Sequence, residues 1–111
     1  MSERNTELLL QDILESSRKI HEYTKNFSFE EFINDSKTVD AVIRNFEIIG
    51  EAAGRLPKEF KEQQPEINWL RIKGFRNRII HDYFGIDYQI VWKIIQDDLL
   101  QLIESIEKLL S

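Results

Sequence analysis

Apolar residues recur at intervals of three and four along most of this chain, with no strand-like alternation of any length. That period predicts helices throughout. In residues 7 to about 26, Leu9, Ile13, Ile20 and Tyr23 fall at broadly helical spacing. Ser28 followed by Glu31 is a capping-box signature, opening a short helix with Phe29, Phe32 and Ile33 facing inward. A longer helix begins near Ser36 or Lys37. Its stripe runs Val39, Val42, Ile43, Phe46, Ile49 and Ala53, and Leu56 with Pro57 closes it.

Residues 57 to 67 are polar and contain both prolines, so they read as a connector with one helical turn. The next helix is expected over residues 68 to 83. Gly85 then breaks the chain, and Asp87 is a natural N-cap for a last helix running to about residue 110 through Val91, Ile95, Leu99, Leu102, Ile106 and Leu109. Four or five helices joined by short connections define an all-α, up-down bundle, and residues 1–111 read as a single domain.

Composition narrows the class. At 111 residues, with 41% hydrophobic and 32% charged, the chain supports a modest core that self-association would extend. No stretch approaches the about 20 apolar residues of a spanning helix. The opening "MSERNTELLL" lacks the basic-then-apolar layout of a secretion signal, so a cytoplasmic protein is expected. The absence of cysteine fits that compartment and excludes disulfides and thiolate metal sites.

The net charge of −5 argues against coating nucleic acid by bulk electrostatics, but the charge is unevenly spread. Arg71, Lys73, Arg76 and Arg78 lie between Ile67 and His81 with no acid among them, leaving 11 basic against 20 acidic residues elsewhere. A basic island on an acidic body suggests a focused anion site; a solvated basic helix face is the alternative.

Arg76 stands out within the island. At about 100° per residue, Trp69, Ile72, Arg76, Ile79, Ile80 and Tyr83 share one stripe, with the arginine in its middle. A guanidinium facing a core or interface carries a large desolvation cost unless paired. Either it is ion-paired with Glu47 or Glu51 on the long helix, or the stripe faces a cleft where the guanidinium receives a phosphate. Asn77 and His81, four apart, share a neighbouring helix face, and the helix end favours protonated histidine. Singly, His81 reads as a cap or packing residue and Tyr83 as core. Together, an anion clamp, a proton-transfer group and a phenol occupy eight residues.

Other chemistries have little support. Neither cysteine nor paired histidine supplies a zinc site. "IGEAAG" at 49 to 54 lies inside a helical pattern and lacks the P-loop Lys-Ser/Thr. Asp97 and Asp98 are explained by a solvated helix face, and His21 reads as surface.

The stretch "RNRIIHDY" resembles the Arg-x4-His-x-Tyr motif of HEPN-domain ribonucleases, specifically the HepT-like toxins. The flanks "DAVIRNFEIIGEAAGRLP" and "PEINWLRIKGFRNRIIHDYFGIDYQIVW" extend that resemblance over nearly the whole chain. It implies a HEPN-type helical bundle working as a homodimer in which two motifs meet in a shared cleft. It further implies metal-independent RNA cleavage, with no cofactor, and an MntA-like minimal nucleotidyltransferase antitoxin that transfers AMP to the motif tyrosine. On these residues Arg76 and His81 are the catalytic pair and Asn77 is the supporting polar residue. Tyr83 is the AMPylated side chain, and Glu51 is a residue that could orient Arg76. Arg71, Lys73 and Arg78 are the candidate RNA-binding cations.

The chemistry can also be derived directly. Without a metal, RNA is cut when its own 2′-hydroxyl attacks the adjacent phosphate, giving a 2′,3′-cyclic phosphate and a 5′-hydroxyl. Histidine has the near-neutral pKa to move the protons, and arginine supplies the fixed cation for the charge that builds on the phosphoryl oxygens. One such histidine per chain leaves either acid or base unfilled, which a two-fold dimer remedies. AMP on Tyr83 would block the site sterically and place negative charge beside Arg76. Two other readings use the same residues: a non-catalytic HEPN dimer that binds nucleotide or docks a nucleotidyltransferase, and a structural bundle in which Arg76 is only ion-paired.

Overall fold

The computed structural model describes residues 5 to 81 and 85 to 111. Five of the helices start where a short polar side chain takes an otherwise unpaired backbone N–H. Asn5 accepts from Leu8 and opens α1 (Thr6–Thr24). Ser28 and Glu31 exchange the two bonds of the capping box and open α2 (Phe29–Ile33). Asp35 accepts from Thr38 at the head of α3 (Ser36–Arg55), which stops at Leu56 ahead of Pro57. The connector holds its single turn, α4 (Lys58–Glu62). Asn68 then caps α5 (Trp69–Lys73) by accepting from Arg71.

Beyond this point the structure departs from the sequence expectation. The helix expected over residues 68 to 83 is two short ones, α5 and α6 (Phe75–Ile79), joined at Gly74. Helical geometry ends at Ile79, because Ile80 is extended (φ −103°, ψ 120°). From there β1 (Ile80–His81) pairs antiparallel with β2 (Gly85–Ile86), Ile80 opposite Ile86 and His81 opposite Gly85. Gly85 takes φ +78°, a conformation that L side chains rarely adopt, and the Asp87 N–H returns to the Ile79 carbonyl at 2.7 Å. A pair of β-branched isoleucines eases the exit from the helix. Tyr83 lies outside the described residues.

Asp87 accepts from Ile90 and opens α7 (Tyr88–Asp97), as expected. The last helix is then interrupted at Asp98, and α8 (Leu99–Leu110) completes the chain. The all-α class stands, with eight helical segments among the described residues rather than four or five, because two expected helices are broken and the connector carries its own turn.

α3 is the central element: α1, α2, α5 and α6 pack on it, while α8 covers α1 and α7 bridges α6 and α8. Phe32, Phe46, Phe75, Ile13, Ile20 and Ile49 are among the fully buried side chains. Trp92 of α7 closes one end against Phe32, ring centroids 5.3 Å apart. Ile33, expected to face inward, is instead exposed. The register of α2 presents Phe32 to the core in place of Ile33. No helix among the described residues is long and apolar enough to cross a membrane.

Candidate functional site around Arg76

The two short helices that carry the basic island lie on α3, and their core stripe is Trp69, Ile72, Phe75 and Ile79. Phe75, at 1% exposure, fills the position the helical wheel assigned to Arg76. The wheel assumed one continuous helix. The junction at Gly74 rephases the second half, so the arginine sits at the edge of the stripe with half of its side chain (51%) in solvent.

Its Nε–H donates to Glu47 Oε2 at 3.2 Å across the α3–α6 contact. The ion-pair answer to the arginine question therefore holds, with the pair exposed rather than buried: the guanidinium is ion-paired and also accessible. Its two terminal nitrogens bond nothing among the described residues. A pair this exposed contributes roughly 0.2–1 kcal/mol to stability, so folding alone gives little reason for it. Of the two acids considered, Glu47 is the partner. Glu51 pairs instead with Arg55 on its own helix, Nη2 to Oε1 at 3.2 Å, and does not reach Arg76.

The remaining island residues diverge. Arg71 reaches the junction of α7 and α8, where its Nε–H donates to Asp98 Oδ2 at 2.8 Å. The interruption between α7 and α8 is thus an anchor for α5, and Asp98, read from sequence as solvated, is only 19% exposed. A pocket of about 150 Å³ lies beside this pair, floored by Ile72, Phe75 and Leu102. Lys73 is exposed, its aliphatic stem lying over Gly54 of α3, and makes no ion pair among the described residues. Arg78 is half-buried, and Asn77 is exposed.

The backbone of His81 lies in β1, opposite Gly85. One inference drawn from a continuous helix fails with it: Asn77, in α6, and His81, in β1, do not share a helical face. Four residues separate Arg76 from His81 in sequence, and they span the exit from α6 into β1. Among the described residues no three His, Asp or Glu side chains gather to hold a metal ion.

A helical bundle centred on one long helix, with a basic Arg-x4-His segment laid across it, defines a protein of HEPN type. More narrowly, the chain belongs to the family described as Ribonuclease HepT-like, whose model matches residues 13–109. It is 43% identical over 107 residues to the Methanocaldococcus jannaschii protein named "Putative RNase MJ1380", covering 96% of this chain and 98% of that one. It is 44% identical over 100 residues to the Thermococcus cleftensis protein named "Probable ribonuclease HepT", covering 90% and 91% respectively. No solved structure matches the chain.

Proposed function

We propose that this chain is the ribonuclease subunit of a toxin–antitoxin pair, cutting RNA as a homodimer without a metal ion. The observation that carries the reading is the state of Arg76. It is held at Nε by Glu47, leaves its terminal nitrogens unbonded among the described residues, and is half-exposed five residues ahead of His81. A guanidinium in that state is a ready receiver for phosphoryl oxygens. The membership of the HepT-like family and the names of its relatives point the same way.

In the mechanism, the 2′-hydroxyl of the substrate attacks its own 3′-phosphate. One His81 takes that proton, the partner's His81 donates one to the departing 5′-oxygen, and Arg76 offsets the charge on the non-bridging oxygens. Arg71 is committed to Asp98, so Lys73 is the better placed of the two cations for the RNA backbone. Tyr83 is the acceptor for AMP: its hydroxyl attacks the α-phosphate of ATP bound by an MntA-like minimal nucleotidyltransferase, pyrophosphate leaves, and the site is shut.

The test is cleavage of a labelled single-stranded RNA in chelator by the chain purified without its antitoxin, compared with Arg76→Ala and His81→Ala. Products ending in 2′,3′-cyclic phosphate from the wild type alone are the expected result. Equal cleavage by all three sinks the proposal.

A further inference from the structure

The face of α3 that meets α5 and α6 presents Glu47, Gly50, Glu51 and Gly54, residues three and four apart. At Gly50, backbone lies against backbone: a Cβ added there would stand 3.0 Å from the Lys73 carbonyl oxygen and 3.8 Å from that of Ile72. One turn later, the three atoms nearest a Cβ at Gly54 all belong to the flexible Lys73 side chain, with its Cε at 3.4 Å. One turn earlier, Glu47 accepts the Arg76 Nε–H. Residue 50 thus lies on residue 73 and residue 47 on residue 76, with Arg76 one turn beyond the carbonyl that rests on Gly50.

A buried glycine inside a 20-residue helix is a poor choice for helix stability. A carboxylate beside an RNA phosphate is a poor choice for binding. Both choices make sense if their purpose is the placement of one guanidinium. We infer that Gly50 and Glu47 form a positioning device for Arg76. The bare Cα at Gly50 sets how deeply the Lys73 backbone seats on α3, and Glu47 then fixes the guanidinium plane through Nε, reserving the terminal nitrogens for the scissile phosphate. This rests on the proposed ribonuclease reading; neither residue touches substrate.

The test combines single-turnover and steady-state kinetics with a measurement that needs no RNA. The Arg76 Nε–Hε signal of ¹⁵N-labelled chain, assigned by its loss in Arg76→Lys, is compared in solvent-exchange rate with that of Arg44, which bonds nothing among the described residues. In the wild type Arg76 exchanges more slowly than Arg44; in Gly50→Ala and Glu47→Ala the two rates converge, and in Gly54→Ala they stay apart. For Gly50→Ala, kcat falls about 10- to 100-fold while KM moves less than about threefold, the signature of a misplaced group. Glu47→Gln, which keeps an acceptor oxygen, recovers most of what Glu47→Ala loses.

Equal wild-type exchange rates for Arg76 and Arg44, or a Gly50→Ala protein unchanged in exchange and kcat, overturn the inference. A Glu47→Ala protein that cleaves faster than wild type does the same, since Glu47 then competes with substrate. Failure of Gly50→Ala to fold removes Gly50 from the device, because the contact then serves the fold rather than the arginine. If the wild type cleaves no RNA, the ribonuclease reading falls and the exchange comparison alone decides the positioning.

Discussion

Phe46 of α3 and Phe75 of α6 meet edge to face, ring centroids 5.5 Å apart and planes inclined at 76°. Both rings are fully buried, and the next residue on each chain segment is a member of the Glu47–Arg76 pair. The aromatic contact therefore holds the two elements in the register that brings the carboxylate to the guanidinium. Phe75→Ala is expected to cost about 3–5 kcal/mol in urea unfolding. A double-mutant cycle with Phe46→Ala should return a coupling of about 0.5–1.5 kcal/mol.

Arg76→Ala separates function from stability. Its partner is more than a third exposed, so unfolding free energy should change by no more than about 1 kcal/mol. Cleavage should nevertheless be lost. A sealed pair would instead cost roughly 3–5 kcal/mol, and urea titration distinguishes the two.

Gly85 has nothing within 4 Å of where its Cβ would stand, so only its backbone angle resists substitution. Gly85→Ala should therefore destabilise by about 1–2 kcal/mol. Gly85→Asn should cost less, because asparagine tolerates this region better. Thermal unfolding of the two variants checks the order.

Salt dependence of RNA binding tests the division of the basic island. Arg71 is held by Asp98 and Lys73 is not ion-paired among the described residues. Lys73→Ala should reduce the slope of log affinity against log salt by about 0.7, the value for one single-strand phosphate contact. Arg71→Ala should leave the slope unchanged.

Sharing of the site across a dimer is checked by mixing. Heterodimers of wild type with His81→Ala should fall well below half the wild-type rate if each reaction draws on both histidines. Retention of full activity per wild-type copy, measured on tagged and sorted heterodimers, would show independent sites.

The caps were the most legible part of this chain. Ser28 with Glu31, and Asp87, announce helix starts through local chemistry, and the structure shows those bonds. The end of α6 was not legible in the same way. Ile79 and Ile80 continue the helical apolar period, and what stops the helix is a pairing with Gly85 and Ile86 further along the chain. The same gap misplaced Arg76 on the stripe, since a wheel drawn through Gly74 carries the wrong phase beyond it. Glu47 and Glu51 could not be told apart either: they are one turn apart, and the choice depends on how closely α5 approaches Gly50. Asp98 looked like one of two adjacent surface acids because its partner, Arg71, lies 27 residues away.

The seat of Lys73 on Gly50 is made by main chain, which any residue at position 73 supplies equally well. The outward side of α5, with Leu70 at 82% exposure and the Lys73 ammonium, is accordingly at liberty to be rewritten in kindred chains. That outer lettering can change while Arg76 keeps its post beside Glu47.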